Sequence, residues 1–243
     1  HPRAAAVAMR LGETTWPWGA AAAAAAALAM AVAVRGRRTQ RFGAWGMGIG
    51  SFSLMAGELV LLIAYQAQCG YLYYKLALIL AALMAGMAAG TALGSRRRAG
   101  AGTGTLAAIH VLVAVCGIAL TGFLHWIETA GVGSEAGLQA AFLAWAAALG
   151  GLAGYEFPVA NRIYLAGVRV GRRRAGVVYA VDLAGSCAAA LPVGLWAIPV
   201  LGTRATLGLV AGLNLAFAAF AARRKLADGV AACDDAKEEK QRA

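Results

Sequence analysis

Three carboxylates stand inside long apolar runs of this sequence: Glu58, Glu156 and Asp182. An ionised side chain at the centre of a bilayer costs at least about 2.5–3.5 kcal/mol on insertion scales, so each needs a partner, a proton or a wet cavity. Carboxylates held in that way bind cations, pass protons or clasp a neighbouring base. One histidine, His110, also falls within an apolar run, and it adds a group whose charge changes near neutral pH.

The three acids differ in depth. Glu58 follows Trp45 by thirteen positions, about 20 Å at a helical rise of 1.5 Å per residue, which is close to mid-membrane. Gln66 lies eight positions further, roughly two turns, and so shares the face of Glu58; Gln68 and Tyr71 extend the polar character toward the nearer surface. Such a stripe suits a ligand, proton or ion pocket. It equally suits an interhelical hydrogen-bond network topped by an interfacial tyrosine belt of Tyr71, Tyr73 and Tyr74.

Glu156 and Asp182 read as lying nearer the opposite face, on either side of the arginine-rich connection 162–174. The expected arrangement is an ion pair or hydrogen-bonded clasp with that connection. In the stretch GYEFPVANRIY, Pro158 removes a backbone donor and loosens the last helical turn, freeing carbonyls for Asn161 or Arg162. His110 and His125 are fifteen residues apart, about 22 Å along one helix, so they cannot grip one haem together. His110 is therefore expected as a hydrogen-bonded packing residue. Cys69, Cys116, Cys187 and Cys233 are scattered without a C-x-x-C, and Cys116 and Cys187 read as small packing residues. The spacing thus indicates no catalytic residue, no metal ligand set and no cofactor.

The elements that carry these groups follow from composition. Hydrophobic residues make up 61% of the 243 positions and charged residues 14%, with mean hydropathy +0.67. A soluble domain carries roughly a quarter charged residues, and apolar runs of about 18 or more residues are long enough to cross hydrocarbon as helices. The alternating ten-residue segments of a membrane barrel are missing from the sequence. The expected fold is all-α, a polytopic transmembrane bundle of seven spans at about 16–34, 44–67, 75–94, 105–126, 138–160, 177–200 and 204–222. The chain divides into an extracytoplasmic segment 1–15, a membrane domain 16–225 and a charged cytoplasmic tail 226–243, a solvated helix or a disordered end. Trp16, Pro17 and Trp18 favour a span over a cleaved signal at the first run.

Charge orients the bundle. Basic clusters at 35–41, 96–98, 162–174 and 223–225 alternate with connections that hold only Lys75 or Arg204. The positive-inside rule puts the rich set in the cytoplasm, the N-terminus outside and the C-terminus inside, as an odd number of spans requires. A net charge of +11 belongs to this topology and to anionic lipid rather than to nucleic acid, since no aromatic residues interleave with the arginines. Gly86, Gly90 and Gly94 repeat at four-residue spacing and mark a close helix contact.

Two stretches carry a resemblance. GSFSLMAGELVLLIAYQAQCGYLYYKLALILAALMAGMAAGTALGSR resembles the first signature of the membrane domain of bacterial spermidine synthase-like proteins. GYEFPVANRIY followed by VVYAVDLAGSCAAALPVGLWAIPVLG is similar to its Phe-Pro segment and Tyr-x-x-Asp-x-x-Gly helix. The resemblance covers roughly 48–202 and carries over Glu58, Gln66, Tyr71, Glu156, Pro158, Tyr179 and Asp182 as signature positions. In full-length relatives such a bundle precedes a cytosolic aminopropyltransferase domain. This sequence has no glycine-rich G-G-G-D-G-like loop, so the enzyme activity is not expected of this chain alone.

Three functions fit. The first is a non-catalytic subunit or anchor of a bacterial inner membrane, resembling that module, which couples other membrane or peripheral protein subunits. The second is a transporter or channel for a small cation such as a polyamine, with Glu58, Glu156 and Asp182 as countercharges and the Pro192 to Pro199 interruption as a movable part. The third is a quinone- or haem-associated redox subunit, motivated by His110, Trp126, Glu128 and the tyrosines.

Overall fold

A computed structural model describes residues 38–70, 73–96, 102–130, 134–165 and 172–242. Among them the chain is helical throughout: α1 (Arg38–Cys69), α2 (Tyr73–Arg96), α3 (Thr103–Ala130), α4 (Glu135–Leu165), α5 (Arg172–Pro192), a π-helical turn (Val193–Ala197) and α6 (Ile198–Arg242). Five helical stretches are long and apolar enough to cross a membrane: Gln40–Cys69, Tyr73–Arg96, Thr103–Thr129, Glu135–Leu165 and Gly176–Arg223. The expected first span, 16–34, lies outside the described residues, and the tail is helical to Arg242.

The fifth stretch, 48 residues, is twice as long as the second. At about 1.5 Å per residue it would far exceed a hydrocarbon core of about 30 Å. It does not run straight. Gly202 has φ 84 and ψ 167, a conformation essentially restricted to glycine, and there the chain turns back on itself. Contacts on either side prove the reversal. Gly194 faces Leu59 and Ala189 joins the cluster of Val60 and Leu61, so α5 ascends beside α1. Asn214 then meets Ser53 and Phe217 stacks on Phe42, so α6 descends along it. The expected spans 177–200 and 204–222 are these two arms.

Six arms result among the described residues, and they alternate in direction. Glycine contacts pair Gly43 with Ala160 and Gly57 with Leu149, making α4 antiparallel to α1; Leu83 with Gly150 and Met87 with Gly154 make α2 parallel to α4. Gly46 touches Leu106, while Glu128 at the far end of α3 pairs with Arg204 at the start of α6. Helix α1 is central, packed on α3, α4, α5 and α6, whereas α2 lies mainly against α4.

The local sequence explains the joints. Gly70, at φ 75, closes α1 by donating its N–H to the Gln66 carbonyl at 3.0 Å, the usual task of a glycine just past a helix end. Ser134 caps α4 by accepting the Gly137 N–H at 3.1 Å. The four-residue glycine repeat does bring backbones together: a Cβ at Gly86 or Gly90 would strike the carbonyl of Ala147 or Gly151. Thr91 adds a hydrogen bond to the Gly154 carbonyl at 3.0 Å. Helix α4 runs unbroken through Pro158 to Leu165, so the expected loosening at Pro158 does not end the helix. The α2–α4 contact accounts for this, because the Pro158 ring rests where a Gly94 side chain would stand.

Candidate functional site

The buried side chains fall into two apolar clusters. One gathers Val60, Leu61, Tyr65, Leu124, Phe142 and Val193 toward the Gly202 end of the bundle. The other gathers Phe42, Met47, Leu106, Val159, Val181 and Phe217 toward the opposite end. Between them, each of five arms contributes a polar residue at the changeover: Ser51 and Ser53 from α1, His110 from α3, Glu156 from α4, Asp182 from α5 and Asn214 from α6. Ser51 lies eleven positions from Gln40 and eighteen from Cys69, the ends of the α1 span. His110 lies seven positions from the Thr103 end of its span, Glu156 nine from the Leu165 end and Asp182 six from the Gly176 end, so the layer sits between mid-bundle and the Gly102 end.

Its hydrogen bonds form a directed chain. Asn214 donates from Nδ2 to the Val210 carbonyl at 2.8 Å and to Ser53 Oγ at 2.7 Å. Ser53 in turn donates to the Ile49 carbonyl at 2.7 Å. Both amide protons of Asn214 are then used, so its Oδ1, 2.7 Å from His110 Nδ1, can only accept. His110 must carry its proton on Nδ1. The other ring nitrogen, Nε2, stands 3.4 Å from Glu156 Oε1, and both residues are buried. Neither atom makes a hydrogen bond among the described residues, to the other included, and the Gly46 backbone also lies close to the ring. Phe217 braces the imidazole with a ring-centroid distance of 4.4 Å.

Glu156 reaches this position because Gly50 lies opposite; a Cβ there would fall on the carboxylate. Beyond it a cavity of about 70 Å³ is lined by Glu156, Asp182, Ser51 and Thr91, with Met87, Leu54 and Phe157 as apolar wall. That volume admits more than one water, since about 10–15 Å³ suffices for the first. Asp182 hydrogen-bonds to Ser51 Oγ, which is also 2.8 Å from the Met47 carbonyl. Ser51 has one proton for these two acceptors. As a carboxylate Asp182 takes that proton; as a carboxylic acid it donates to Ser51, which turns to the Met47 carbonyl.

The sequence-derived residues separate into two groups. Glu156, Asp182 and His110 meet in the layer. Among the described residues Asp182 meets Ser51 and Glu156 lies beside His110, while Arg162 donates to the Ser95 carbonyl at 2.6 Å; residues 166–171 of the connection with which a clasp is expected lie outside the described residues. His110 is hydrogen-bonded and packed, as expected, on Asn214 and Phe217, and it also lies beside Glu156. Glu58, Gln66 and Gln68 stay outside the layer: Glu58 is half-buried, with no hydrogen bond or ion pair among the described residues, and Gln68 is exposed. Tyr71 lies outside the described residues. Cys116 is half-buried and Cys187 exposed.

Asn214 was not foreseen; Ser53, Ser51 and Gly50 stand out in the sequence only as small residues that let other helices approach, not as neighbours of the buried polar groups. The signal for Asn214 was present: it is the lone amide between Arg204 and Arg223, and a buried amide in lipid needs partners. At the Gly202 end, Lys75 pairs with Glu135 and Arg204 with Glu128, tying α2 to α4 and α3 to α6. No cluster of three metal-ligating side chains occurs among the described residues. Chemically the layer can hold protons and a small cation between apolar plugs. No protein-family model matches the chain, and no curated protein or solved structure matches it.

Proposed function

We propose that this protein is a membrane-embedded carrier or channel for a small cation, and that Glu156, His110 and Asp182 are its ion-handling group. The observation that supports this reading is the polar layer itself: Glu156 and Asp182 from two arms line one cavity, His110 from a third arm stands beside Glu156, and an apolar cluster lies on each side. A purely structural bundle gains nothing from two carboxylates at that depth, which cost stability unless they take up a proton or an ion. The cavity of about 70 Å³ suits a proton, a hydrated proton or a bare monovalent ion rather than an extended polyamine.

The wider reading has seven crossings once 16–34 is added, an outer N-terminus and a cytoplasmic C-terminus in a bacterial inner membrane. The arm directions support the orientation, since they bring Arg41, Arg96, Arg162 and Arg223 to one end and Lys75 and Arg204 to the other. The test is flux in liposomes containing the purified full chain. Cation uptake is expected in the wild type, with at least about a tenfold loss in Glu156→Gln, equivalent to about 1.4 kcal/mol. Equal uptake by the variant would overturn the proposal.

The anchor reading stands second. Its support is the likeness of 48–202 to the spermidine synthase-like membrane domain, together with the outer face of α6, where Gly208 and Gly212 have nothing within 4 Å of a would-be Cβ. That reading makes the chain a subunit holding another membrane or peripheral protein. It expects co-purification with a second polypeptide and no uptake by the chain alone.

A further inference from the structure

We infer that the cation handled by the layer is a proton, shared between Glu156 Oε1 and His110 Nε2, and that Asn214 is the positioning residue that keeps Nε2 free to share it. This rests on the carrier reading above and names its ion. The first support is the fixed direction of the hydrogen-bond chain. The Ile49 and Val210 carbonyls can only accept, which orients Ser53 and both Asn214 protons and leaves Nδ1–H of His110 as the sole donor to Asn214 Oδ1. The second is that Nε2 and Oε1 lie 3.4 Å apart, buried, and neither makes a hydrogen bond, to the other or to anything else among the described residues, although the Gly46 backbone also lies close to the His110 ring. One proton satisfies both atoms; none leaves two acceptors opposed, and two leave two donors opposed.

The step balances without any further reagent. In the loaded state the proton lies on Oε1 and points at Nε2, or it has crossed to Nε2 and an imidazolium faces a carboxylate. The pair is neutral either way. Release to the cavity breaks one O–H or N–H bond, forms one to a water there, and leaves the pair with a single negative charge. The cavity is placed for that transfer, because Glu156 lines it together with Asp182 and Ser51. Among the described residues, the ionisable groups facing Glu156 are His110 from α3 and Asp182 from α5. Helices α1, α2 and α6 bring only Ser51 and Ser53, Thr91 and Asn214.

A hard metal cation fits this half of the layer less well. Its acceptors include a ring nitrogen, and among the described residues no three His, Cys, Asp or Glu side chains converge. Sodium and potassium ions prefer several oxygen ligands, whereas an opposed nitrogen and oxygen suit a proton.

The experiment uses the full chain in liposomes with an enclosed pH-sensitive dye and an imposed potassium diffusion potential. It is paired with nitrogen-15 spectra of histidine-labelled protein and infrared spectra of its carboxyl groups. Wild type is expected to acidify the lumen, to show His110 protonated on Nδ1 with Nε2 hydrogen-bonded, and to show a protonated carboxyl band that disappears in Glu156→Gln. Asn214→Leu is expected to populate the Nε2–H form and to slow uptake at least about tenfold, or about 1.4 kcal/mol. The wild-type spectra decide the matter even where a variant fails to fold. An Nε2–H wild-type tautomer, or sodium or potassium flux that depends on Glu156 without proton uptake, overturns the shared proton and leaves the carrier reading standing. A correct tautomer and carboxyl band with no flux of any cation overturns the carrier reading and leaves the shared proton.

Discussion

Glu156 gains its place through what is missing opposite it. Gly50 leaves room for the carboxylate, and the carboxylate occupies the space a methyl group would need. Gly50→Ala should push Glu156 away from His110 and toward the cavity. Overpacking a buried site costs about 1–3 kcal/mol, so the unfolding temperature in detergent should fall. The same change in an Glu156→Ala background should cost less, because the colliding atoms are gone; a coupling of about 1 kcal/mol or more is expected from residues in contact. Independent, additive losses would contradict the geometry. At this scale the sequence was informative about depth and poor about direction. Glu156, Asp182 and His110 are recognisable as groups needing company, and for the two acids the sequence points along the chain, to the arginines that follow. Among the described residues their neighbours lie across the bundle: Ser51 beside Asp182, His110 and Gly50 beside Glu156, and Asn214 beside His110. When a helix is apolar nearly all round, its pattern does not announce which side faces the bundle, and a serine or glycine in such a helix gives no sign of what it will meet.

Helices α2 and α4 form the tightest pair. The reciprocal contacts of Gly86 and Gly90 with Ala147 and Gly151, and of Gly150 and Gly154 with Leu83 and Met87, lay backbone on backbone. Without a hydrophobic drive between helices in lipid, such packing and the Thr91 hydrogen bond supply the attraction. Gly90→Ala puts a methyl group into the Gly151 carbonyl, which cannot swing aside as a side chain end can. A loss of about 1–3 kcal/mol is expected, read as a lower unfolding temperature. Gly208→Ala, which meets nothing within 4 Å, should be neutral or stabilise by up to about 1 kcal/mol through helix propensity. Equal effects at both positions would refute the contact. This joint was readable in advance, since spacing of four on a helix is a face whatever the fold. The continuation of α4 past Pro158 was not, because the support comes from α2.

Across the whole molecule, alternating arms make a simple demand on accessibility. Tyr73, Ser134 and Gly202 lie at one end of the bundle, Gly102 and Gly176 at the other. Single cysteines at positions 73 and 134 of an otherwise cysteine-free chain should react with an impermeant maleimide from one side of a vesicle. A cysteine at 102 should react only from the other side. Labelling of 73 and 102 from the same side would break the order of arms. Helix existence and type were legible because length and apolarity alone mark a crossing, and every expected span from 44–67 onward overlaps an observed arm. The tight reversal at Gly202 fits the short gap between 177–200 and 204–222, which left no room for a longer loop.

The turn at Val193–Ala197 stores one surplus residue in the arm that carries Asp182. Drawn out into ordinary helix, that surplus would rotate one half of the arm against the other by about 100°, the angle that one residue subtends. A quarter-revolution is enough to swing a carboxylate from a serine to a lipid tail. That turn lies eleven positions beyond the acid, in the same arm.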